Sequence, residues 1–365
     1  MLQMVLDGAE QSGHDLQLVF FEPGPWPQEL ARAGFQVDVL AVGRLRQWWR
    51  LAAAIARLSR LLRRSRPELI FNWSAKTQIY GASAAILAGM SDRVLWWQQV
   101  IPDGHWLDRL ATALPARAVV CYSGAAARAQ AGLRPSRPTV IVAAGSPMPE
   151  AASASSSGSG SGSTASAAAA VASLALPAKI PVVGLVGRLQ RWKGQDRLLR
   201  AQAILRERGL PLHVLIVGGD SYGLEPDYAA SLSQLIDGLG SAGSVTLTGE
   251  VPDAGPYIER MDVLVNASDP EPFGIVLLEG MARGVAVAAV DSGGPAEFVE
   301  HGRTGVLARS GEPEDLADAL EPLLRSPELR WRIGAAGRER FVADFTDEAM
   351  RRRLFAELER IAAAR

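Results

Sequence analysis

The chain has 365 residues, a formal net charge of −1, 48% hydrophobic and 21% charged residues, which fits two domains more readily than one and excludes wholesale disorder. Near-neutral charge argues against a nucleic-acid binder, and a single cysteine, Cys121, excludes a disulfide framework or cysteine-based zinc cluster and fits a reducing compartment. No run of about 18 uninterrupted apolar residues is present, and Met1–Gly13 lacks the basic start and apolar core of a secretory leader, so the expectation is a cytoplasmic protein, peripheral at most to a membrane.

The chain opens on a helical pattern over Met1–Gln11, followed by a strand over Leu16–Phe21. A doubly wound domain ordinarily begins with a strand and a Gly-rich turn ahead of that helix, so the first strand is expected to be missing. Residues Arg44–Arg66 then hold eight arginines and no acid. Read as a helix, Trp48, Ala52, Ile55 and Leu62 form one stripe, and Arg46, Arg50, Arg57 and Arg64 lie largely on another. Two readings follow: attachment to anionic lipid, or the solvated face of an ordinary α/β helix. Strands over Leu69–Trp73, Val94–Gln99, Ala118–Tyr122 and Thr139–Val142 complete this half.

Residues Ala151–Ala170 contain only Ala, Ser, Gly and Thr. They have almost no apolar surface to offset the entropy of ordering, so 151–175 reads as a flexible linker; a disordered surface loop within one domain is the alternative. Beyond it strands are expected at Pro181–Val186, Leu212–Val217, Ser244–Thr248, Val263–Asn266, Val285–Ala289 and Gly305–Leu307. Helical patterns such as Arg197–Arg208 and Ile275–Arg283 lie between them. Alternating strand and helix through both halves implies α/β architecture with two parallel, doubly wound sheets. Ligands of such sheets sit at the carboxyl ends of strands, beside helix N-termini.

Three turns carry chemistry. In Val182–Gly194 an apolar strand runs into Gly187-Arg188-Leu189 and then Lys193-Gly194, joining close backbone approach, helix N–H donors and two cations in one place. That suits a diphosphate; two solvated basic residues in a plain strand–turn–helix are the alternative. In Asp269–Gly284, Pro270 and Pro272 hold the chain extended and Gly274 opens an apolar helix. Glu271 precedes that helix, where it can accept hydrogen bonds from sugar hydroxyls or merely complement the helix dipole. Glu279 lies within the apolar stretch, where a buried carboxylate wants a partner. The third turn, Ser292-Gly293-Gly294-Pro295-Ala296-Glu297, repeats the pattern of strand, Gly-rich turn and helix start.

Together, Gly187-Arg188-Leu189 with Lys193-Gly194, the Glu271-x7-Glu279 pair and Gly293-Gly294-x-x-Glu297 resemble the donor-binding motifs of family-4 glycosyltransferases of the GT-B fold. The resemblance covers essentially all of residues 180–345 and extends more loosely over the first half. It implies two Rossmann-like domains facing a central cleft: an acceptor domain over 1–150, a donor domain over 176–345, and a helix over 346–365 crossing back to the first. It further implies transfer of a sugar from a nucleotide-sugar to a glycan or lipid-linked acceptor, with retention at the anomeric carbon. Arg188 and Lys193 would then neutralise the leaving diphosphate. Gly187, Glu271, Gly294, Glu297 and the backbone of Phe273, Gly274, Ile275 and Val276 would hold donor sugar and phosphates. Glu279 would accept from the ribose, and Val251 in the Gly249-Glu250-Val251 turn would flank the base.

No Asp-x-Asp sequence is present, so neither metal nor other cofactor is expected, with the two cations taking a metal's role. Relatives often place a His at the end of the strand corresponding to Val94–Gln99. Here Gln99 stands there, with His105 six residues on; either could meet the acceptor. Asn72 and Lys76 follow another strand end and could line the same region. A nucleotide-sugar binder without catalysis, its first strand lost, is the main alternative. An epimerase or phosphorylase lacks supporting residues, and no G-x-G-x-x-G turn is placed for a dinucleotide oxidoreductase.

Overall fold

The computed structural model describes residues 2–11, 13–42, 47–149, 171–174, 176–220, 223 and 225–363. The tract 151–170, Arg44 and Arg46 lie outside the described residues. The chain divides into two compact units, residues 1–143 with 350–365, and residues 144–349.

The first unit runs α1 (Leu2–Gln11), β1 (Gln17–Phe20), α2 (Pro25–Arg32), β2 (Gln36–Val39), α3 (Trp48–Ser65), β3 (Ile70–Asn72) and α4 (Ala75–Ala88). It continues with β4 (Val94–Gln98), α5 (Trp106–Ala113), β5 (Ala118–Cys121), α6 (Gly124–Leu133) and β6 (Thr139–Ile141). Every strand pair is parallel. The strands do not form the one sheet expected: β1 and β2 pair alone, and β3-β4-β5-β6 form a second sheet. The physical reason lies in the doubly wound order, where the first strand sits between the second and the fourth. Among the described residues β1 and β3 have no shared neighbour. Apolar packing joins them instead, Val19 and Phe21 resting on the cluster of Leu58, Leu62, Ile70 and Ala85.

Strand β2 is not among those expected from the sequence. Its Gln-Val-Asp-Val run is short and half polar, and Gln17 Nε2 donates to Asp38 Oδ2 across the pair at 2.8 Å. Helix α3 corrects the expected stripe. Ala54, Leu58, Ser59 and Leu62 are buried and Ile55 packs half-buried beside them, whereas Ala52 is exposed together with Arg50, Arg57, Arg60, Arg63 and Arg64. Packing against α4 and β3, rather than the widest apolar arc, selects the buried face.

The second unit runs β7 (Val182–Val186), α7 (Gln195–Glu207), β8 (His213–Val217), α8 (Pro226–Gly238), β9 (Val245–Leu247), α9 (Gly255–Ile258) and β10 (Val263–Asn266). There follow α10 (Ile275–Ala282), β11 (Ala286–Val290), α11 (Pro295–Phe298), β12 (Val306–Ala308), α12 (Pro313–Arg325) and α13 (Pro327–Asp344). Its six strands form one parallel sheet in the order β12-β11-β10-β7-β8-β9. Strands buried on both faces are short and nearly all apolar, which is why the expected strands and observed ones differ by only a residue or two. The order reverses at β7, between β10 and β8, so the topological switch lies where β7 and β10 end. The last helix, α14 (Asp347–Ala363), is grouped with the first unit from Met350 onward.

Candidate functional site

The ends of β7 and β8 are pressed together. A Cβ on Gly218 would lie 2.2 Å from the Gly187 carbonyl oxygen, so only glycine permits this approach. The Gly187 N–H donates to Val217 O at 2.9 Å. Next to it the buried Gln195 amide donates to Arg188 O at 2.8 Å, with the Tyr228 hydroxyl 3.2 Å from Gln195 Oε1. The backbone at Arg188 is thereby fixed from behind. The Arg188 side chain is exposed and has no hydrogen-bond or ion-pair partner among the described residues, so its donors are available to a ligand.

A single turn of 3-10 helix, Arg191–Lys193, precedes α7. Gly194 ends it with φ +72, and a Cβ there would come within 2.5 Å of Ala267 O at the end of β10. This contact brings Lys193 onto the chain that follows β10. Its Nζ donates to Glu271 Oε2 at 2.9 Å, and Asn266 Nδ2 donates to the same oxygen at 3.1 Å. Glu271 is 6% exposed. Burial alone would raise its pKa, but the Lys193 charge and hydrogen bond, with bonds from Asn266 and Ser268, carry it below the ordinary carboxylate range. Asn266 and Ser268 escaped the sequence reading; the signal was the polar run Asn-Ala-Ser directly after a buried strand.

Glu271 is held from its backbone too. It bridges Gly293 in parallel fashion, and Gly294 N–H donates to Glu271 O at 2.8 Å. A Cβ on Gly294 would lie 2.4 Å from Phe273 Cα, which explains the paired glycines. Gly274, φ +92, then caps α10 with no side chain bonded to its N-terminus. The half-buried Ile275 and Val276 begin a helix whose first N–H groups have no intrahelical acceptor. Lys193, Glu271 and Gly294 are thus brought together, one helix start away from Ile275 and Val276.

Glu279 lies on α10, half-buried, and its carboxylate accepts no hydrogen bond among the described residues. Burial raises its pKa, Arg283 opposes that rise, and Asp253 adds to it. Carboxylates in this condition are candidates for ligand contact. Val251 is half-buried after the turn in which Gly249 O accepts from Gly218 N–H at 3.0 Å. Glu297 is exposed in the first turn of α11.

Among the described residues no hydrogen bond or ion pair joins the candidates of the first unit to one another. Gln99 follows β4 half-buried, while His105 is exposed and occupies the position before α5, its N–H bonded to Asp103 Oδ1 at 2.8 Å. Asn72 is committed to packing: its Nδ2 donates to Gln78 Oε1 at 2.8 Å, and a Cβ on Gly81 would lie 1.9 Å from its Oδ1. Lys76 pairs with Glu22 at 3.2 Å on the surface.

Residues 168–340 match the family Glycosyl transferases group 1. That match covers a little under half of the chain. The chain is 35% identical over 178 residues to the lipopolysaccharide core biosynthesis glycosyltransferase LpsE of Rhizobium meliloti, 49% of this chain and 49% of that one. Against D-inositol 3-phosphate glycosyltransferase of Rhodococcus erythropolis identity is 42% over 161 residues, 42% of this chain and 36% of that one. The chain thus spans about half or less of the length of these curated relatives. Anabaena Alr3699/HepE, crystallised with UDP and glucose, has a TM-score of 0.78 at 23% identity, covering 98% of this chain and 95% of that one. Sucrose-phosphate synthase from Thermosynechococcus elongatus scores 0.72 at 20% identity, with 96% of each chain covered. The fold of this chain, two Rossmann-like units with parallel sheets, is the GT-B glycosyltransferase fold.

Proposed function

We propose that the chain is a retaining, family-4 glycosyltransferase moving a sugar from a nucleotide-sugar donor to a glycan or lipid-linked acceptor. The observation that carries this reading is the buried Lys193–Glu271 pair at the topological switch of the second sheet, 2.9 Å across, next to the uncapped start of α10. Glu271, ionised and fixed by Asn266, accepts from donor-sugar hydroxyls. The N–H groups at Gly274, Ile275 and Val276 take phosphate oxygens, and Arg188 and Lys193 meet the charge that builds on the departing diphosphate. Glu279 takes the ribose hydroxyls, Val251 flanks the base, and Gly187, Phe273, Gly294 and Glu297 shape the pocket. That HepE was crystallised with UDP and glucose supports a uridine donor as the first to try.

On the acceptor side Gln99 or His105 would face the anomeric carbon. The two cations make transfer independent of metal, so a chelator should leave turnover unchanged. The arginine face of α3 fits an anionic membrane surface, where a lipid-linked acceptor is met; no described helix is long and apolar enough to cross a membrane. A cytoplasmic setting, without nucleic acid, accords with the charge balance.

Binding without turnover is the second reading, favoured by Gln99 standing where relatives often place a histidine. A thermal-shift panel of nucleotides and nucleotide sugars, repeated with Arg188→Ala, tests donor binding. Released nucleotide then separates an enzyme from a binder. Absence of any shift across the panel would overturn both readings.

A further inference from the structure

The first unit contains a pocket of about 620 Å³, open to solvent, lined by Arg117, Arg134 and Arg137, with Ser91, Asp92 and Pro115. These residues precede β4, β5 and β6, so the pocket lies at the amino ends of the strands. The ligand sites of doubly wound sheets lie at the other end. We propose that this pocket binds an organic phosphate, the phosphate group held among the guanidinium groups of Arg117, Arg134 and Arg137. The proposal is independent of the donor-site reading above.

Three observations carry it. The first is charge: three guanidinium groups face a single carboxylate, Asp92, and none of the three forms an ion pair among the described residues. The usual structural explanation of such a cluster, mutual neutralisation, is therefore not available. The second is preorganisation. Arg137, only 9% exposed, donates through Nη1 to Thr112 O at 2.8 Å, and Arg134 donates through Nη1 to Ala113 O at 3.0 Å. Those carbonyls end α5, where cations are favoured. Each bond uses one of five donors, and each fixes its side chain for a planar, bidentate grip on an oxyanion. Arg117 has no hydrogen bond from its side chain among the described residues, so capping does not explain its presence. Burial, and then the neighbouring Arg134 charge, lower the pKa of Arg137, a cost that a bound anion would relieve.

The third observation is size. The volume falls within the range of small-molecule sites, about 300–1,000 Å³, and exceeds what a bare phosphate fills, so an organic body attached to the phosphate is accommodated.

The test is arginine footprinting of the full chain with phenylglyoxal, using inorganic phosphate as the probe and resolving the labelled peptides by mass. Phosphate should slow labelling of Arg117 and Arg134 in the wild-type protein. Protection at Arg188 alone, or nowhere, overturns the proposal, and it does so without any variant. Arg117→Ala removes no helix cap and should raise the phosphate concentration protecting Arg134 about tenfold. Unchanged protection in that variant also overturns the proposal, and Arg117→Gln repeats the measurement should the alanine variant not fold. Phosphatidylcholine vesicles with and without phosphatidic acid identify the source of the phosphate. Sedimentation that needs both phosphatidic acid and Arg117 assigns a lipid headgroup. Protection by phosphate without such sedimentation assigns a soluble phosphoester.

Discussion

Lys193 Nζ lies 2.9 Å from Glu271 Oε2, although 78 residues separate the two in the chain. The pair exists because Gly194 lets the start of α7 touch the end of β10. Its consequences are both energetic and chemical.

Replacing Lys193 by Met keeps the stem and removes the charge, leaving a buried carboxylate without its cation. Breaking such a pair costs about 3–5 kcal/mol; the lower end applies because Lys193 retains 19% side-chain exposure. Glu271 is held below its ordinary range, so it adds stability above the unfolded value of about 4.3, and this is lost as pH falls through the lower folded value. In Lys193→Met the opposing charge is gone and burial raises the Glu271 pKa. Acid titrations of stability should then lose their Glu271-dependent fall below the ordinary carboxylate range. Turnover should drop about a hundredfold or more.

Glu279 has the opposite sign. A carboxyl whose folded pKa is raised destabilises the fold at neutral pH and stabilises it progressively as pH falls. Glu279→Gln should therefore raise the melting temperature of the free protein at pH 7, while donor affinity falls about tenfold through the lost ribose contact. A differential scanning measurement with and without donor reads both. A fall in both quantities would show that the carboxylate serves the fold rather than the ligand.

Gly294→Ala would put a methyl group 2.4 Å from Phe273 Cα and 2.6 Å from Pro272 O. Both neighbours are backbone and cannot swing aside, so the Glu271–Phe273 segment must move. Denaturant unfolding should show a loss of about 2 kcal/mol or more. Donor binding should fall further than the lost folded fraction accounts for, because the displaced segment carries Glu271.

Arg57, Arg60 and Arg64 lie exposed along one side of α3. If that face meets anionic lipid, vesicle sedimentation will weaken as salt rises, through screening. Replacing all three by Glu should abolish it with little change in melting temperature, since the buried Ala54, Leu58 and Leu62 stay untouched. Equal sedimentation of both proteins would assign these arginines to solvent.

The strands of the second unit were legible in the chain because a parallel strand buried on both faces must be apolar, short and bounded by turns. The Gly-rich turns were legible for a related reason: backbone packed against backbone tolerates no Cβ, as Gly194, Gly293 and Gly294 show. Strand β2 was not legible, since an edge pair with one polar face carries little apolar pattern. The stripe on α3 was legible only in part: Ile55 and Leu62 pack inward, but periodicity offers several faces and the neighbours turn Ala52 outward.

The amino-acid sequence by itself determined the alternation of strand and helix, the places where glycine is obligatory, and which residue types could meet a diphosphate. Only the tertiary structure decided that Lys193 pairs with Glu271, that Asn266 secures that pair, that Asn72 belongs to packing, and that the first unit's sheet is divided. Local pattern follows from steric and solvation demands on neighbouring residues. Ion pairs, cavities and strand order depend on groups far apart in the chain, whose distances are set only when the sheets assemble.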